Sequence, residues 1–179
     1  MSRFIAFLRA INVGGHTVKM NHLRGLLESS GFSNVETFIA SGNIIFEAKS
    51  GEPRDLENCI EKQLREALGY EVVTFIRTDL ELAEIAKYKA FPQSAINSAA
   101  ALNIGFLKEP LDKQSKQELM GLRNVIDDFQ VNGREIYWLC LKKQSESTFS
   151  NVVLEKRIGR RSTLRGVNTI KKIAEKYVT

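Results

Sequence analysis

Two adjacent glycines follow the first apolar segment of the chain, in the sequence RAINVGG at residues 9–15. Gly14 and Gly15 let backbone N–H groups approach an anion closely. A helix predicted to begin near Lys19 presents its unpaired N-terminal N–H groups to the same place. Arg9 and Lys19 add full positive charge. This combination is typical of phosphate or carboxylate binding.

The same loop lacks the features of a nucleotide-binding signature. It has neither the Gly-Lys-Ser/Thr ending of a phosphate loop nor the G-x-G-x-x-G pattern of a dinucleotide-binding fold. The sequence therefore favours the simpler interpretation, in which the two glycines only turn the chain from a strand into a helix.

A second polar group, Ser41-Gly42-Asn43, interrupts two short apolar runs and is predicted to be a tight hairpin turn. In a split βαβ unit, the end of strand 1 and the bend between strands 2 and 3 lie at the same edge of the sheet. We therefore expect one ligand-binding edge. Its candidate residues are Arg9, Asn12, Gly14, Gly15, Lys19, Ser41, Gly42 and Asn43.

The C-terminal tail is strongly basic. Residues 142–179 hold 10 of the 26 Lys and Arg residues but only 3 of the 21 Asp and Glu residues. Such a density can contact a nucleic-acid backbone. Apolar residues alternate with these charges, so an exposed basic helix face is an equal alternative. The candidate contact residues are Arg157, Arg160, Arg161, Lys171 and Lys172.

Other reactive side chains give weaker signals. His16 and His22 are the only histidines; six residues apart they are a poor metal pair, and we interpret them as surface residues. Asp127 and Asp128 precede a strand and are interpreted as solvated acids. Cys59 and Cys140, the only cysteines, are interpreted as buried reduced thiols. No metal and no cofactor is expected.

Hydrophobic periodicity predicts the elements that must position these residues. Residues 3–8, 35–39, 44–46 and 72–76 are predicted strands. Residues 20–30 and a segment that begins at Pro53 and ends at Gly69 are predicted helices. This order is the ferredoxin-like βαββαβ unit. The first strand is apolar on both faces, so neither face of its sheet is expected to lie in water.

The second half is predicted to repeat the plan in truncated form. A strand at residues 102–107, a helix at 113–126 and a hairpin turning at Asn132-Gly133 give βαββ. Helices at residues 149–158 and 167–177 follow, with no final strand. The fold class is therefore α+β, with a ferredoxin-like lobe at residues 1–78 packed against a second lobe at residues 79–179.

The composition is that of an ordinary globular protein, with 43% hydrophobic residues in a chain of 179. The N-terminal apolar run is too short to span a membrane and lacks the small-residue cleavage pattern of a secretory signal. We therefore expect a cytoplasmic protein that does not bind membranes.

The stretch FLRAINVGGHTVKMNHLRGLLESSGFSNVETFIASGNIIF, with RSTLRGVNTIKKI near the end, resembles the uncharacterised bacterial family called domain of unknown function 1697. The resemblance spans nearly the whole chain and implies no particular reaction. Its marked positions include most of the candidate edge. In the tail the family pattern implies Thr-x-Arg-Asn and a later Thr, matched by Thr163, Arg165 and Thr169, but Gly166 replaces the Asn. Arg165 is thus a further candidate ligand contact.

Three functions remain open at this stage. The first is a protein, catalytic or not, that binds a nucleotide or phosphorylated metabolite at the predicted edge. The second is a nucleic-acid-binding module that uses the basic tail. The third is a structural or protein-interaction protein without a small ligand. The sequence does not decide whether the protein is an enzyme, nor its oligomeric state.

Overall fold

The computed structural model describes residues 1–12, 14–49 and 51–178, and only the backbone of Ala40 and Ser41. The chain divides into two compact units. The first comprises residues 1–84 and 172–179, and the second comprises residues 85–171. The sequence placed the boundary at residue 78 and the whole C-terminus in the second lobe. The interface predicted between the lobes stays a prediction.

The first unit contains a four-stranded antiparallel sheet in the order β2-β3-β1-β4. Its strands are β1 (Ser2–Leu8), β2 (Ser33–Phe38), β3 (Ala40–Ala48) and β4 (Thr74–Thr78). Two helices connect them, α1 (Met20–Ser29) after β1 and α2 (Pro53–Leu68) after β3. The ferredoxin-like βαββαβ unit predicted for the first half is therefore confirmed.

One face of this sheet packs against α1 and α2. Apolar residues recur at helical spacing, so they form a continuous stripe on each helix. Pro53 begins α2, and Gly69 ends it in a left-handed conformation with φ of 81°. The helix residues buried against the sheet are Leu23, Leu27, Leu56, Ile60 and Leu64.

The opposite face of the sheet is also buried. Ile5, Phe7 and Phe75 are inaccessible to solvent, as the apolar pattern of the first strand predicted. Arg77 lies in β4, opposite Ile5, and is buried as completely. Its guanidinium Nη1 donates to the carbonyl of Ile76 at 2.8 Å. A fully buried arginine in this strand was not anticipated from the sequence.

Strand β4 lies at the edge of the sheet, yet three alternate backbone N–H groups on its outer side are occupied. Each donates to the carboxylate of a nearby glutamate, so two helices supply the acceptors that a further strand would have supplied. The pairs are Thr74 with Glu61 at 2.8 Å, Ile76 with Glu57 at 2.9 Å and Thr78 with Glu81 at 2.8 Å.

The prediction of a hairpin turn at Ser41-Gly42-Asn43 is wrong. The chain bends at Ile39, whose φ is 65°, and β3 begins at the next residue. Opposite β2, the register shifts between the pairs Thr37–Ile44 and Phe38–Ala40. The three residues therefore form a bulge within β3. A Gly-Asn pair tolerates a bulge as well as a turn, so its composition did not distinguish the two.

The end of the chain returns to the first unit. The Tyr177 hydroxyl donates to Glu36 at 2.7 Å, and Arg3 Nη1 donates to the Tyr177 carbonyl at 2.6 Å. Arg3 also bonds Glu47 at 3.2 Å, and Asn34 donates to the same carboxylate at 2.8 Å. The hydrogen bond from Asn34, followed by that from Arg3, lowers the pKa of Glu47 below its ordinary value of 4.5.

The second unit contains a second four-stranded antiparallel sheet, in the order β6-β7-β5-β8. Its strands are β5 (Ala101–Phe106), β6 (Asp127–Asn132), β7 (Glu135–Cys140) and β8 (Thr163–Gly166). The helices in this part of the chain are α3 (Asp79–Lys87) and α4 (Gln93–Ser98) before β5, α5 (Lys113–Met120) between β5 and β6, α6 (Asn151–Ile158) between β7 and β8, and α7 (Val167–Tyr177) after β8. The boundaries between the two units fall within α3 and within α7. The predicted α+β class is confirmed.

The second unit is not truncated as predicted, because β8 completes its βαββαβ order. This strand is only four residues long and includes Arg165. It pairs with β5 from Asn103–Gly166 to Phe106–Thr163. Four residues without an alternating apolar pattern carry no strand signal of their own; the pairing with β5 makes them a strand.

Asp127 forms a buried hydrogen-bond centre at the start of β6, with 1% of its surface exposed. It accepts from Trp138 Nε1 at 2.8 Å, from Ser147 Oγ at 2.7 Å and from Asn124 Nδ2 at 3.1 Å. The prediction of a solvated acid is wrong for this residue, because the β6–β7 pairing turns its carboxylate toward Trp138. Its neighbour Asp128 is partly exposed and pairs with Arg123 at 2.5 Å.

The two cysteines differ in exposure. Cys140 lies in β7 and is buried, as predicted, and burial raises the pKa of its thiol. Cys59 lies on α2 but is exposed, so the prediction for it is wrong. The buried face of α2 passes through Leu56 and Ile60, which leaves Cys59 outside the stripe. Among the described residues, no helix is long and apolar enough to cross a membrane.

Candidate functional site

Three strand ends meet where the sequence predicted a ligand-binding edge. At the end of β1, Phe7 pairs with Asn43 of β3 and Leu8 pairs with Thr74 of β4. The next residue, Arg9, donates its backbone N–H to the Val73 carbonyl at 2.8 Å. The loop that follows β1 and the start of β3 therefore lie at one edge of the first sheet.

Side chains and aromatic rings fix the loop that follows β1. Asn12 Oδ1 accepts from the backbone N–H of Val18 at 2.8 Å, which closes the loop before α1. The Tyr70 hydroxyl donates to the Ile11 carbonyl at 2.8 Å. The ring of Tyr70 also stacks on His16, with ring centroids 4.2 Å apart. Asn12 thus fixes the backbone of the loop at Val18. This structural role differs from the ligand contact predicted for it.

Gly14 and Gly15 have φ angles of 61° and 82°. An L residue rarely adopts this left-handed conformation, and glycine adopts it freely. No other group lies within 4 Å of a Cβ built at Gly15, so conformation rather than close packing requires glycine there. This geometry agrees with the simpler interpretation, in which the pair turns the chain toward α1.

Helix α1 begins at Met20 with an exposed, uncapped N-terminus. The residue before it, Lys19, accepts the first helical hydrogen bond from Leu23 at 3.0 Å, and its side chain provides no cap. No acidic residue lies in the first turn. The positive end of the helix dipole and the Lys19 ammonium group therefore act together on any anion at this position.

An open groove of about 420 Å³ lies beside this helix end. Its polar wall comprises His16, Thr17, Lys19 and His22, and Tyr70 forms an aromatic wall. Both histidines are exposed, as predicted. None of the described residues that line the groove is an Asp or a Glu. The groove is therefore suited to an anionic ligand.

Of the β3 bulge, Gly42 and Asn43 do not line this groove. Asn43 is 2% exposed, and its Nδ2 donates to the Phe38 carbonyl at 3.1 Å. Gly42 is partly buried. The side chain of Ser41 lies outside the part of the chain that the structure describes. The backbones of the β1–α1 loop and of the start of β3 thus meet at the predicted edge. The side-chain amide of Asn43, however, turns to the interior.

Arg165 belongs to the other unit, in β8. Its Nη1 donates to Thr163 Oγ1 at 2.8 Å and to the Leu164 carbonyl at 2.9 Å. Burial lowers the pKa of its guanidinium to about 10. The contact predicted between Arg165 and a ligand at the first-unit edge stays a prediction.

The candidate nucleic-acid residues differ in their surroundings. Arg157 pairs with Glu118 at 3.5 Å, and Arg160 bonds Asp112 at 3.2 Å and the Pro110 carbonyl at 2.8 Å. These two charges therefore hold α5 and its N-terminal loop against the segment around α6. Arg161, Lys171 and Lys172 are exposed.

Tyr70 is the groove residue that sequence reasoning missed. It follows the C-terminal Gly69 of α2 by one position, in a connection with no periodicity to mark it. Only the packing of α2 beside the β1–α1 loop brings its ring to His16. Within the described residues, no cluster of three His, Cys, Asp or Glu side chains could hold a metal ion.

Comparisons with known proteins identify the family and the fold. The family model described as a protein of unknown function, DUF1697, matches residues 1–137. The solved structure of the conserved bacterial protein SP0830 from Streptococcus pneumoniae is similar, with a TM-score of 0.76 and 24% identity over 97% of each chain. At that identity the likeness shows the fold alone. No curated protein matches. The chain belongs to the DUF1697 family of proteins of unknown function.

Proposed function

We propose that this protein binds a phosphate-bearing small molecule, a nucleotide or a phosphorylated metabolite, in the groove at the N-terminus of α1. The observation that carries the proposal is the convergence of an uncapped helix N-terminus, Lys19 and two histidines on a groove without a carboxylate. Of the edge predicted from the sequence, this proposal keeps the loop after β1 and the start of α1, and it leaves out the bulge of β3.

In this proposal, the phosphate group binds at the first turn of α1. The first N–H groups of a helix have no intrahelical acceptor, so they donate to phosphate oxygens. Lys19 adds a full charge at the same end, and Thr17 adds a hydroxyl donor. Gly14 and Gly15 contribute by directing the chain into α1, and Asn12 holds the Val18 N–H in place.

In this proposal, the remainder of the ligand packs against the stacked rings of His16 and Tyr70. Stacking on aromatic side chains is favourable for any nucleobase and does not require a particular base. A nucleotide therefore uses both ends of the groove, and a phosphorylated sugar uses only the polar end. The groove volume of about 420 Å³ is of the size that small-molecule sites have.

The test is a thermal-shift screen of the full chain against nucleotides and phosphorylated metabolites. A ligand at about 100 times its Kd stabilises the folded state by about 2.7 kcal/mol, which raises the midpoint by about 5–10 °C for a chain of this size. Lys19→Ala should remove most of this shift. Arg24→Ala is the matched control, because Arg24 is exposed on the same helix but does not line the groove.

The rival proposal is nucleic-acid binding by the basic tail. It rests on the exposed side chains of Arg161, Lys171 and Lys172. Its mark is oligonucleotide affinity that falls steeply with salt and is lost on neutralising Arg161 and Lys172. If neither small phosphates nor oligonucleotides raise the midpoint, the phosphate proposal is abandoned in favour of a protein that acts through a protein partner.

A further inference from the structure

A second cavity, of about 510 Å³, lies entirely within the second unit and is distinct from the groove at α1. It is bounded by the start of α7, by residues of β5 and β7, and by the segment that joins α3 to α4. Nothing in the proposed function uses it. Its lining combines a buried polar side chain, a helix N-terminus and three lysines.

The buried polar side chain is Asn103, in the central strand β5. It lies opposite Trp138 on one side and Gly166 on the other, and only 6% of its surface is exposed. Its Nδ2 group makes no hydrogen bond within the part of the chain that the structure describes. Buried amides are almost always paired, so an unpaired donor that lines a cavity indicates an acceptor supplied from outside the chain.

The helix N-terminus is that of α7, which begins at Val167 directly after β8 ends at Gly166. The helix is 11 residues long and has no acidic residue in its first turn. Its first N–H groups therefore lack intrahelical acceptors and carry a partial positive charge. Asn168 and Thr169 of this turn also line the cavity and bring side-chain donors.

The charge of the lining has one sign. Lys87, Lys89 and Lys171 line the cavity, and no Asp or Glu in the described part of the chain does. All three lysines are exposed, and none forms an ion pair with a described residue. Together with α7, they make a positive potential at the mouth of the cavity.

The rest of the lining is aromatic and apolar. The rings of Tyr88 and Tyr137 lie with their centroids 5.1 Å apart, and Ile96 and Leu102 extend this wall. An inorganic anion leaves such a wall unused, whereas an organic anion with a flat or apolar body covers it.

We propose that this cavity binds a small organic anion, a phosphate or a carboxylate. Its charged group accepts hydrogen bonds from Asn103 Nδ2 and from the first turn of α7, and its apolar body lies against Tyr88 and Tyr137. Lys87, Lys89 and Lys171 attract the anion and pair with its charge.

The experiment titrates the full chain with phenyl phosphate and with benzoate by calorimetry, with inorganic phosphate as the probe that lacks a ring. We expect phenyl phosphate, benzoate or both to bind more tightly than inorganic phosphate. Binding of phenyl phosphate alone identifies a phosphate ligand, and binding of benzoate alone identifies a carboxylate. If none of the three probes binds, the proposal is wrong.

Asn103→Leu separates a ligand contact from a structural amide. Leucine has the same branched shape, with methyl groups in place of the amide oxygen and nitrogen, and it removes the unpaired donor, so the variant should fold without a probe. It should bind the probe about tenfold more weakly or worse. Wild-type affinity in this variant would overturn the proposal.

Lys171→Ala tests the same site without touching the core, because Lys171 is exposed. It should weaken binding, and Lys116→Ala, exposed on α5 and away from the cavity, should not. Lys19→Ala removes any binding of the phosphate probes in the groove at α1, so the binding that remains in this variant belongs to the second cavity. Loss of binding in Lys19→Ala with retention in Lys171→Ala would assign the probe to the α1 groove and refute the second site.

Discussion

Replacing Asp127 with alanine should destabilise the second unit more than any other single acid-to-alanine change near it. The carboxylate of Asp127 accepts hydrogen bonds from three side chains on three segments, those of Trp138, Ser147 and Asn124. It thus joins the start of β6 to β7 and to the loop before α6. Removing it leaves the indole N–H of Trp138 buried without its acceptor.

The size of the effect follows from the burial of each donor. A hydrogen bond to a charged acceptor contributes about 1.5–3 kcal/mol, and a buried donor left unpaired costs about as much. Ser147 and Asn124 are more accessible and recover part of their loss from water. We therefore expect Asp127→Ala to cost about 3 kcal/mol, against about 1 kcal/mol or less for Asp128→Ala, whose partly exposed carboxylate pairs with Arg123.

Urea unfolding followed by far-UV circular dichroism measures both variants, and the midpoint of Asp127→Ala should fall by about 1–1.5 M. A double-mutant cycle with Trp138→Phe isolates the indole contact. The cost of Asp127→Ala should shrink by about 1.5 kcal/mol in that background, because phenylalanine has no N–H to leave unpaired. Equal costs for Asp127→Ala and Asp128→Ala, or no coupling to Trp138, would refute the reasoning.

Three further predictions concern other parts of the chain. A thiol reagent should modify the exposed Cys59 quickly and Cys140 only on unfolding, and Cys59→Ser should remove the fast phase. The lowered pKa of Glu47 means that its stabilising contribution is present above the unfolded value and is lost as pH falls through the folded value, so Glu47→Gln should flatten the decline in thermal midpoint from about pH 5 to about pH 3. Gly15→Ala should cost about 1 kcal/mol because of its φ of 82°, whereas Gly25→Ala within α1 should stabilise by about 0.5–1 kcal/mol; a loss in both would contradict the conformational argument.

The sequence predicted the elements whose signals are local. Helix α2 has a proline at its start, a glycine at its end and an apolar stripe between them, and each signal acts over a few residues. The same holds for strand β1, which is apolar on both faces, and for the hairpin of β6 and β7, although its turn is Gly133-Arg134, one residue after the predicted Asn132-Gly133. The ferredoxin-like order of the first unit followed from these elements alone.

The errors arose where distant partners decide the structure. The segment β8 is a strand because it pairs with β5. The bulge at Gly42-Asn43 depends on the register of β2 against β3. The burial of Asp127 depends on Trp138, which lies on β7 two residues before Cys140, the residue opposite Asp127. No pattern within a few residues of these positions encodes the partner.

The candidate site was predicted in part for the same reason. The loop from Arg9 to Lys19 and the start of β3 do meet, because strand order fixes where their backbones go. The direction of each side chain was not predictable from the sequence. The side-chain amide of Asn43 donates to the Phe38 carbonyl, and the contact of Tyr70 with His16 was missed.

The three glutamates along β4 also limit how this protein can associate with other chains. A sheet grows by pairing a new strand with the exposed N–H groups of its edge, the step shared by strand exchange, peptide capture and fibril formation. At β4 that step requires an incoming backbone to displace the carboxylates of Glu57, Glu61 and Glu81 from donors they already occupy. No glutamate accepts from the backbone of the opposite edge, β2, among the hydrogen bonds of the described residues, so we expect an assembly that extends the first sheet to begin there.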